Sequence, residues 1–253
     1  MIQAREGAKL IEFLHLAFLQ VLPSRLPVKE YVVKGGANLR LFFDSRRRSQ
    51  DIDLDYVGSA FWRAEERIDA VLASRAFTDL LRSQGVELVD LAKTKPTDTT
   101  RRWKFAVRGG GTWLNSKIEF SARGNADPEF GFDVARLDIG RAAGLRAMRA
   151  NHYLAPAATR QKIHVLAERT ETEPRDVFDL DLLVSAHPDV VRPGDIAPEL
   201  AGKAVDAAFA IPFEAYEELV VEYLEDEFVE IYERREVWDE MVTRVVEFLE
   251  TLR

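Results

Sequence analysis

The chain has 253 residues, 47% of them hydrophobic and 31% charged, a composition typical of a globular protein with one large or two small domains. It contains no cysteine, which excludes disulfides and thiolate metal sites. No apolar run reaches the roughly 18 residues of a membrane span, so no membrane partner is expected. Residues 3–22 predict a packed amphipathic helix rather than a signal peptide, because Glu12 and His15 interrupt the apolar face. We therefore expect a cytoplasmic protein of bacterial type.

The net charge of −8 is unevenly distributed along the chain. Residues 213–253 hold 14 acidic and 4 basic side chains, a net of −10, so the preceding 212 residues carry +2. Within these, residues 93–123 hold 8 basic and 2 acidic side chains. Since local patches matter more than net charge for phosphate binding, the acidic total does not exclude a nucleic-acid partner.

A glycine pair separates the first two strands that the sequence predicts. In chain order the elements are a buried strand at 30–34, the pair Gly35-Gly36, a helix at 37–43, a basic loop at 45–49 and a strand at 51–57. Glycines let backbone N–H groups approach phosphate oxygens, and a helix N-terminus adds favourable partial charge. The pattern therefore predicts a phosphate-binding turn at Gly35 and Gly36.

The rest of the chain changes from mixed to helical character. Residues 62–83 predict one or two helices, and strands follow at 86–91, 103–107 and 113–121, with a glycine turn at 109–111. The strand signal then fades, and helices are predicted at 156–169, 174–186, 196–209 and 213–252. We expect an α/β domain over 1–125 and an all-helical C-terminal domain over 126–253.

The second predicted strand presents carboxylates at alternate positions. Asp51, Asp53 and Asp55 point to one face of this strand, where they repel one another unless cations neutralise them. Two Mg²⁺ ions held there would bridge triphosphate oxygens, activate an attacking hydroxyl and stabilise a leaving pyrophosphate. Alternation does not decide which acids hold metal. We favour Asp51 and Asp53, with Asp55 as a spare, and expect a third ligand from Glu119 on a later strand.

The first motif resembles that of AbiEii-type nucleotidyltransferase toxins of bacterial toxin–antitoxin systems, in the DNA polymerase β-like nucleotidyltransferase superfamily. The family motif begins with a glycine pair and ends in S-x-D-h-D, matched here by Gly35, Gly36, Ser49, Asp51 and Asp53. One departure is the interval between Gly36 and Asp51, which is longer than the common spacing and contains three consecutive arginines. The resemblance extends over residues 30–185.

The family's later motif is a helical lysine followed by a basic-Asp-x-x-Asp-Leu helix. Lys162 matches the lysine, and Asp176 and Asp179 match the two aspartates. The resemblance implies that Lys162 and Asp176 complete the nucleotide site, while Asp179 is more often structural. It also implies that Ser49 contacts a nucleotide phosphate.

The resemblance implies a polymerase β-like core, a mixed sheet with flanking helices, followed by the helical domain. It implies a toxin that uses Mg²⁺ to transfer a nucleoside monophosphate from an NTP to RNA, above all the 3′ end of tRNA, and a cognate antitoxin as partner. Two alternatives remain open. One is a nucleotidyltransferase that modifies a protein or a small molecule such as an aminoglycoside, and the other is a non-catalytic module that binds nucleotide or antitoxin. The basic, aromatic stretch from Trp103 to Lys117 is either an RNA-binding hairpin or a cover for the core.

Overall fold

The computed structural model describes residues 2–122 and 128–253. They form two compact units. The first comprises the chain up to Asp44 together with Arg48–Tyr153, and the second comprises Ser45–Arg47 and Leu154–Arg253. The predicted domain boundary, between residues 125 and 126, lies outside the described residues.

The first unit contains a seven-stranded mixed sheet with flanking helices. Its strands are β1 (Tyr31–Lys34), β2 (Ile52–Tyr56), β3 (Glu87–Lys93), β4 (Thr100–Gly109), β5 (Thr112–Ser121), β6 (Phe130–Val134) and β7 (Arg149–Tyr153). Its helices are α1 (Ile2–Val21), α2 (Gly35–Phe42), α3 (Phe61–Leu72), α4 (Arg75–Ser83) and α5 (Leu137–Ala142). The strand order is β3-β4-β5-β2-β1-β7-β6, with β2 antiparallel to β1 and parallel to β5. This confirms the predicted fold class.

Alternation along β2 fixes how the sheet faces its core. Ile52, Leu54 and Tyr56 are buried, so the intervening acids face the opposite side. The core beneath the sheet includes Phe18 of α1, whose ring meets that of Phe120 edge to face at a centroid distance of 6.5 Å. Trp103 of β4 is also buried there. Its Nε1 donates to an Asp69 oxygen at 2.8 Å, so this tryptophan belongs to the core rather than to an RNA-binding surface.

Three elements of this unit were not predicted, namely β6, α5 and β7. The sequence signal for strands fades after about residue 124, yet β7 lies beside β1 in parallel and β6 completes that edge of the sheet. The sequence does not indicate that β7 is a buried strand, because some of its buried side chains are polar. Asn151, for example, donates to the carbonyl oxygens of Val28 and Tyr31. His152 stacks on Phe42 with the ring centroids 3.9 Å apart.

The second unit is predominantly helical, which confirms a helical C-terminal region. The prediction that the chain is all-helical from residue 126 is wrong, because β6 and β7 belong to the sheet of the first unit and the continuous helical part begins at Ala155. Its helices are α6 (Ala155–Glu168), α7 (Pro174–Ala186), α8 (Pro198–Phe209), α9 (Phe213–Leu219), α10 (Val229–Tyr232) and α11 (Arg235–Glu250). Short 3-10 turns at Val221–Tyr223 and Asp226–Phe228 interrupt the stretch predicted as helical over 213–252. The core of this unit includes Tyr216 stacked on Trp238 at 4.5 Å. Among the described residues of the chain, no helix combines the length and apolarity needed to cross a membrane.

Candidate active site

Carboxylates from two neighbouring parallel strands meet on one face of the sheet in the first unit. The register places Asp53 of β2 directly beside Glu119 of β5, and Asp51 immediately precedes β2. The Asp51 side chain accepts a hydrogen bond from the backbone N–H of Lys117 at 3.1 Å, which ties it to the same strand. We call Asp51, Asp53 and Glu119 the carboxylate cluster. The structure thus brings together the three residues predicted as metal ligands.

Asp53 is the open member of the carboxylate cluster. Its side chain makes no hydrogen bond or ion pair with any residue that the structure describes. Burial raises its pKa, and the negative charges of Glu119 and Asp51 raise it further against the opposing influence of Lys117 and Lys34. Asp53 therefore lies in an excess of negative charge, where a bound cation would stabilise the ionised carboxylate.

The other two members of the cluster are held by basic side chains of the hairpin. Lys117 Nζ lies 3.0 Å from Asp51 Oδ2, and Arg102 Nε donates to Glu119 Oε2 at 2.7 Å. In this arrangement, no three acidic or histidine side chains of residues 2–122 and 128–253 form a complete metal-ligand set. The donor chemistry nevertheless fits a hard divalent cation, because the cluster offers carboxylate oxygens only and Asp53 has unused ones.

Asp55 differs from Asp53 because its oxygens are already occupied. Lys34 Nζ lies 2.5 Å from Asp55 Oδ1, and the Tyr153 hydroxyl donates to Oδ2 at 2.6 Å. These contacts join β2 to β1 and β7. The geometry therefore favours a structural role for Asp55, the acid that was not favoured as a metal ligand in the sequence-based prediction.

Gly35 lies against the open carboxylate. It begins α2 in the left-handed region with φ +63°, and a Cβ at this position would stand 3.5 Å from Asp53 Oδ2. Gly36 continues the same first turn of the helix, which starts two residues earlier than predicted. The Ser49 hydroxyl donates to the backbone carbonyl of Asp51 at 2.7 Å, so it stabilises the turn that leads into β2.

A buried histidine that sequence reasoning did not assign supports the same turn from beneath the sheet. His15 Nε2 lies 3.0 Å from Ser116 Oγ, and this hydroxyl donates to the Gln50 carbonyl at 2.6 Å. Since the serine proton is used on Gln50, His15 Nε2 must donate. Burial lowers the pKa of His15 to about 4, with Asp51 acting in the opposite direction, so the ring is neutral near pH 7. The only sequence signal was a polar residue on the apolar face of α1.

The later motif forms a buried, charge-balanced cluster in the second unit. Lys162 Nζ lies 3.0 Å from Asp176 Oδ1 and 2.6 Å from Asp179 Oδ2. Arg47 Nη2 donates to both Asp179 oxygens at 3.0 Å. Burial acts to lower the pKa of Lys162, but the charges of Asp179 and Asp176 outweigh it and raise this pKa. Asp179 is thus enclosed by two cations, as expected of a structural acid.

Asp176 is less completely satisfied than its neighbour. Its Oδ2 atom is buried and accepts no hydrogen bond from the described residues, and Arg169 Nε lies 3.6 Å away. An acceptor oxygen in this state is available to a donor on a ligand. The assignment of Lys162 and Asp176 to nucleotide binding stays a prediction.

Comparisons with known proteins give one family and one fold. The family model described as nucleotidyl transferase AbiEii toxin, type IV TA system, matches residues 18–251. The crystal structure of JHP933 from Helicobacter pylori is similar with a TM-score of 0.57 and 18% identity, covering 98% of this chain and 92% of that one. A second H. pylori structure, provisionally named a nucleotidyltransferase, has a TM-score of 0.54 and 18% identity, with 95% of each chain covered. No curated protein matches the sequence.

Proposed function

Because this chain belongs to the AbiEii family of nucleotidyltransferase toxins of type IV toxin–antitoxin systems, we propose that it transfers a nucleoside monophosphate from an NTP to RNA. The acceptor we propose is the 3′ end of tRNA. A terminal hydroxyl oxygen attacks the α-phosphorus, the bond from that phosphorus to the bridging oxygen of the β-phosphate breaks, and pyrophosphate leaves. An extended 3′ end cannot be aminoacylated, so translation stops.

The observation that carries this proposal is the carboxylate cluster with its open member, Asp53, against Gly35. We propose Asp51, Asp53 and Glu119 as the ligands of Mg²⁺. When bound, Mg²⁺ would offset the charge of the triphosphate and of the leaving pyrophosphate. A side chain at position 35 would extend toward Asp53, whereas glycine leaves that approach open.

The remaining roles follow from the family motifs. We propose that Gly35, Gly36 and Ser49 contact nucleotide phosphates, with the serine hydroxyl turning from the Asp51 carbonyl to donate its proton to a phosphate oxygen. Lys162 and Asp176 are proposed nucleotide-binding residues of the second unit. A cognate antitoxin is the proposed regulatory partner, and the proposed substrates locate the activity in the cytoplasm.

The direct test supplies each of the four NTPs, labelled at the α-phosphorus, with Mg²⁺ and total RNA. We expect label to move into tRNA-sized RNA at its 3′ end, and Asp53→Asn to abolish the transfer while the protein stays folded. Label that enters protein or an aminoglycoside instead would replace the RNA acceptor in this proposal. Absence of transfer to all acceptors with all four NTPs would refute a catalytic function.

Induction in cells separates an enzyme from a binding module. We expect wild-type protein to arrest growth and Asp53→Asn to relieve the arrest, with untemplated nucleotides detected at tRNA 3′ ends only for the wild type. Growth arrest that persists in Asp53→Asn at equal expression would favour a non-catalytic module.

A further inference from the structure

The carboxylate cluster has a row of basic side chains beside it on the same face of the sheet. Across β5 and β4, Glu119 is opposite Arg102, and two residues along each strand Lys117 is opposite Lys104. Residues two apart on a strand share a face, so these four side chains lie together. On this face, the side chains of β5 change from negative at Glu119 to positive at Lys117, and the facing side chains of β4 are both positive.

Lys104 and Lys117 form a like-charge pair across β4 and β5, of which only Lys117 is paired with an acid of the chain. Like charges directly opposite each other across two strands are destabilising. Lys104 is exposed and makes no ion pair with any residue in the described ranges, while Lys117 is only partly exposed. An anion placed between the two ammonium groups would relieve their repulsion.

Lys117 also touches the carboxylate cluster. Its Nζ neutralises Asp51 Oδ2 at 3.0 Å, while its backbone N–H binds the other oxygen of the same carboxylate. The backbone contact fixes Asp51 in place whether or not the ammonium group is present. A lysine has four rotatable methylene groups, so Nζ can leave Asp51 without moving β5.

We infer that Lys117 is an exchangeable counter-cation, which neutralises Asp51 in the metal-free enzyme and moves to a substrate phosphate beside Lys104 when a divalent cation binds. This inference rests on the proposed function. Lys117 Nζ and a divalent cation are both positive and are both drawn to Asp51 Oδ2, so their mutual repulsion makes them compete for it. Once displaced, the ammonium group joins Lys104 as a two-lysine site for phosphate oxygens.

The matched variants are Lys117→Met and Lys104→Met, which remove one charge each from opposite partners and keep the apolar stem. The first measurement is Mn²⁺ binding to the full chain without nucleotide, followed by electron paramagnetic resonance. We expect Lys117→Met to bind Mn²⁺ about fivefold more tightly, the equivalent of a partly exposed ion pair. Lys104→Met should change this affinity less than about twofold, because Lys104 contacts no carboxylate.

The second measurement is binding of inorganic pyrophosphate at saturating Mn²⁺. We expect both variants to bind pyrophosphate about fivefold more weakly, since each has lost one phosphate contact. Lys117→Met should therefore raise the affinity for Mn²⁺ and lower the affinity for pyrophosphate, whereas Lys104→Met should lower only the affinity for pyrophosphate. Lys117→Gln serves as a second neutral variant if Lys117→Met does not fold.

The inference is overturned if Mn²⁺ affinity is unchanged or lower in both neutral variants of Lys117, or if neither wild type nor variants bind Mn²⁺. It is also overturned if pyrophosphate binding does not depend on Lys117. These results are distinguishable from failure of the proposed function. Opposite affinity shifts without nucleotide transfer would refute the transferase alone, and transfer without the shifts would refute the counter-cation alone.

Discussion

Removing the charge of Asp179 should destabilise the second unit selectively. The Asp179 carboxylate is completely buried and receives Arg47 Nη2 on both oxygens and Lys162 Nζ on one, at 2.6–3.0 Å. Asp179→Asn keeps the size of the side chain but leaves the buried cations with one carboxylate too few. Breaking a buried pair from one side costs about 3–5 kcal/mol, so we expect the free energy of unfolding of this unit to fall by that amount.

The tryptophans allow the two units to be followed separately. Trp238 is the only tryptophan of the second unit and is buried in its core, whereas Trp103 is buried in the first. With 5-fluorotryptophan incorporated, ¹⁹F resonances report urea unfolding at each position. We expect Asp179→Asn to lower the urea midpoint at Trp238 much more than at Trp103.

Asp181→Asn is the matched control two residues along α7. Asp181 pairs with Arg244 at 2.7 Å, but the arginine side chain is 44% exposed. Losing this ion pair should therefore lower the free energy of unfolding by only about 0.2–1 kcal/mol. Equal losses in Asp179→Asn and Asp181→Asn, or a loss below about 1 kcal/mol for Asp179→Asn, would refute the assignment of Asp179 as the structural acid.

The same cluster predicts a pH dependence. Burial acts to raise the pKa of Asp179, but the charges of Arg47 and Lys162 outweigh it and hold this pKa below its ordinary value. A depressed carboxyl pKa means that the unfolded chain binds more protons. Its stabilising contribution is therefore full above the unfolded value of about 3.9 and is lost as pH falls through the folded pKa. The Asp179→Asn variant should lack this acid-dependent part of the unfolding free energy.

Three further predictions concern the first unit. Gly35→Ala and Gly85→Ala both place an alanine in the left-handed region, at φ +63° and +64°, so each should lower the free energy of unfolding by about 1–2 kcal/mol. Only Gly35→Ala should also weaken NTP binding, because its Cβ would lie 3.5 Å from Asp53 Oδ2, whereas nothing lies within 4 Å of a Cβ at position 85. The wild type should lose stability as pH falls from 6.5 to about 4, because the unfolded chain takes up a proton that the buried His15 ring does not; His15→Gln should reduce this loss, and an unchanged urea-unfolding profile across this range would contradict it. Ser49→Ala should lower stability by about 1 kcal/mol, whereas Ser49→Asp adds a negative charge to the carboxylate cluster and should slow nucleotide transfer further than Ser49→Ala does; equal transfer rates would argue against a phosphate contact there.

The sequence predicted best where one periodicity determined the structure. Strict alternation in β2 gave both the buried face and the acidic face, because a period of two leaves only one way to bury Ile52 and Leu54. β6 was not predicted, although Phe130, Phe132 and Val134 alternate as in a strand; the structure leaves these apolar residues exposed on an edge strand, which the sequence alone does not indicate. The partners of each acid depend on strand register and could not be predicted from spacing alone.

The break in the acidic C-terminal region has a tertiary cause. No proline or glycine lies between residues 213 and 252, so the sequence contains no local signal that ends a helix. The structure instead makes Leu224 pair with Arg47 in an isolated β-bridge, and the Glu225 N–H donates to the Arg46 carbonyl at 3.0 Å. Backbone hydrogen bonds to a distant segment thus replace the helical ones over this short stretch.

Charge balance distinguishes Asp179 from Asp53. In the second unit, Arg47 and Lys162 both pair with the buried Asp179, so this acid is neutralised by the chain itself. In the first unit, Lys117 and Arg102 neutralise two of the three acids in the carboxylate cluster and leave Asp53 unbalanced. Burial and the neighbouring acids raise the pKa of Asp53, so its ionised form is costly unless a ligand of opposite charge compensates it. Both motifs contain closely spaced aspartates in the sequence, but only the first retains an unpaired carboxylate beside two other acids in the structure, and this is why we propose it as the site of cation binding.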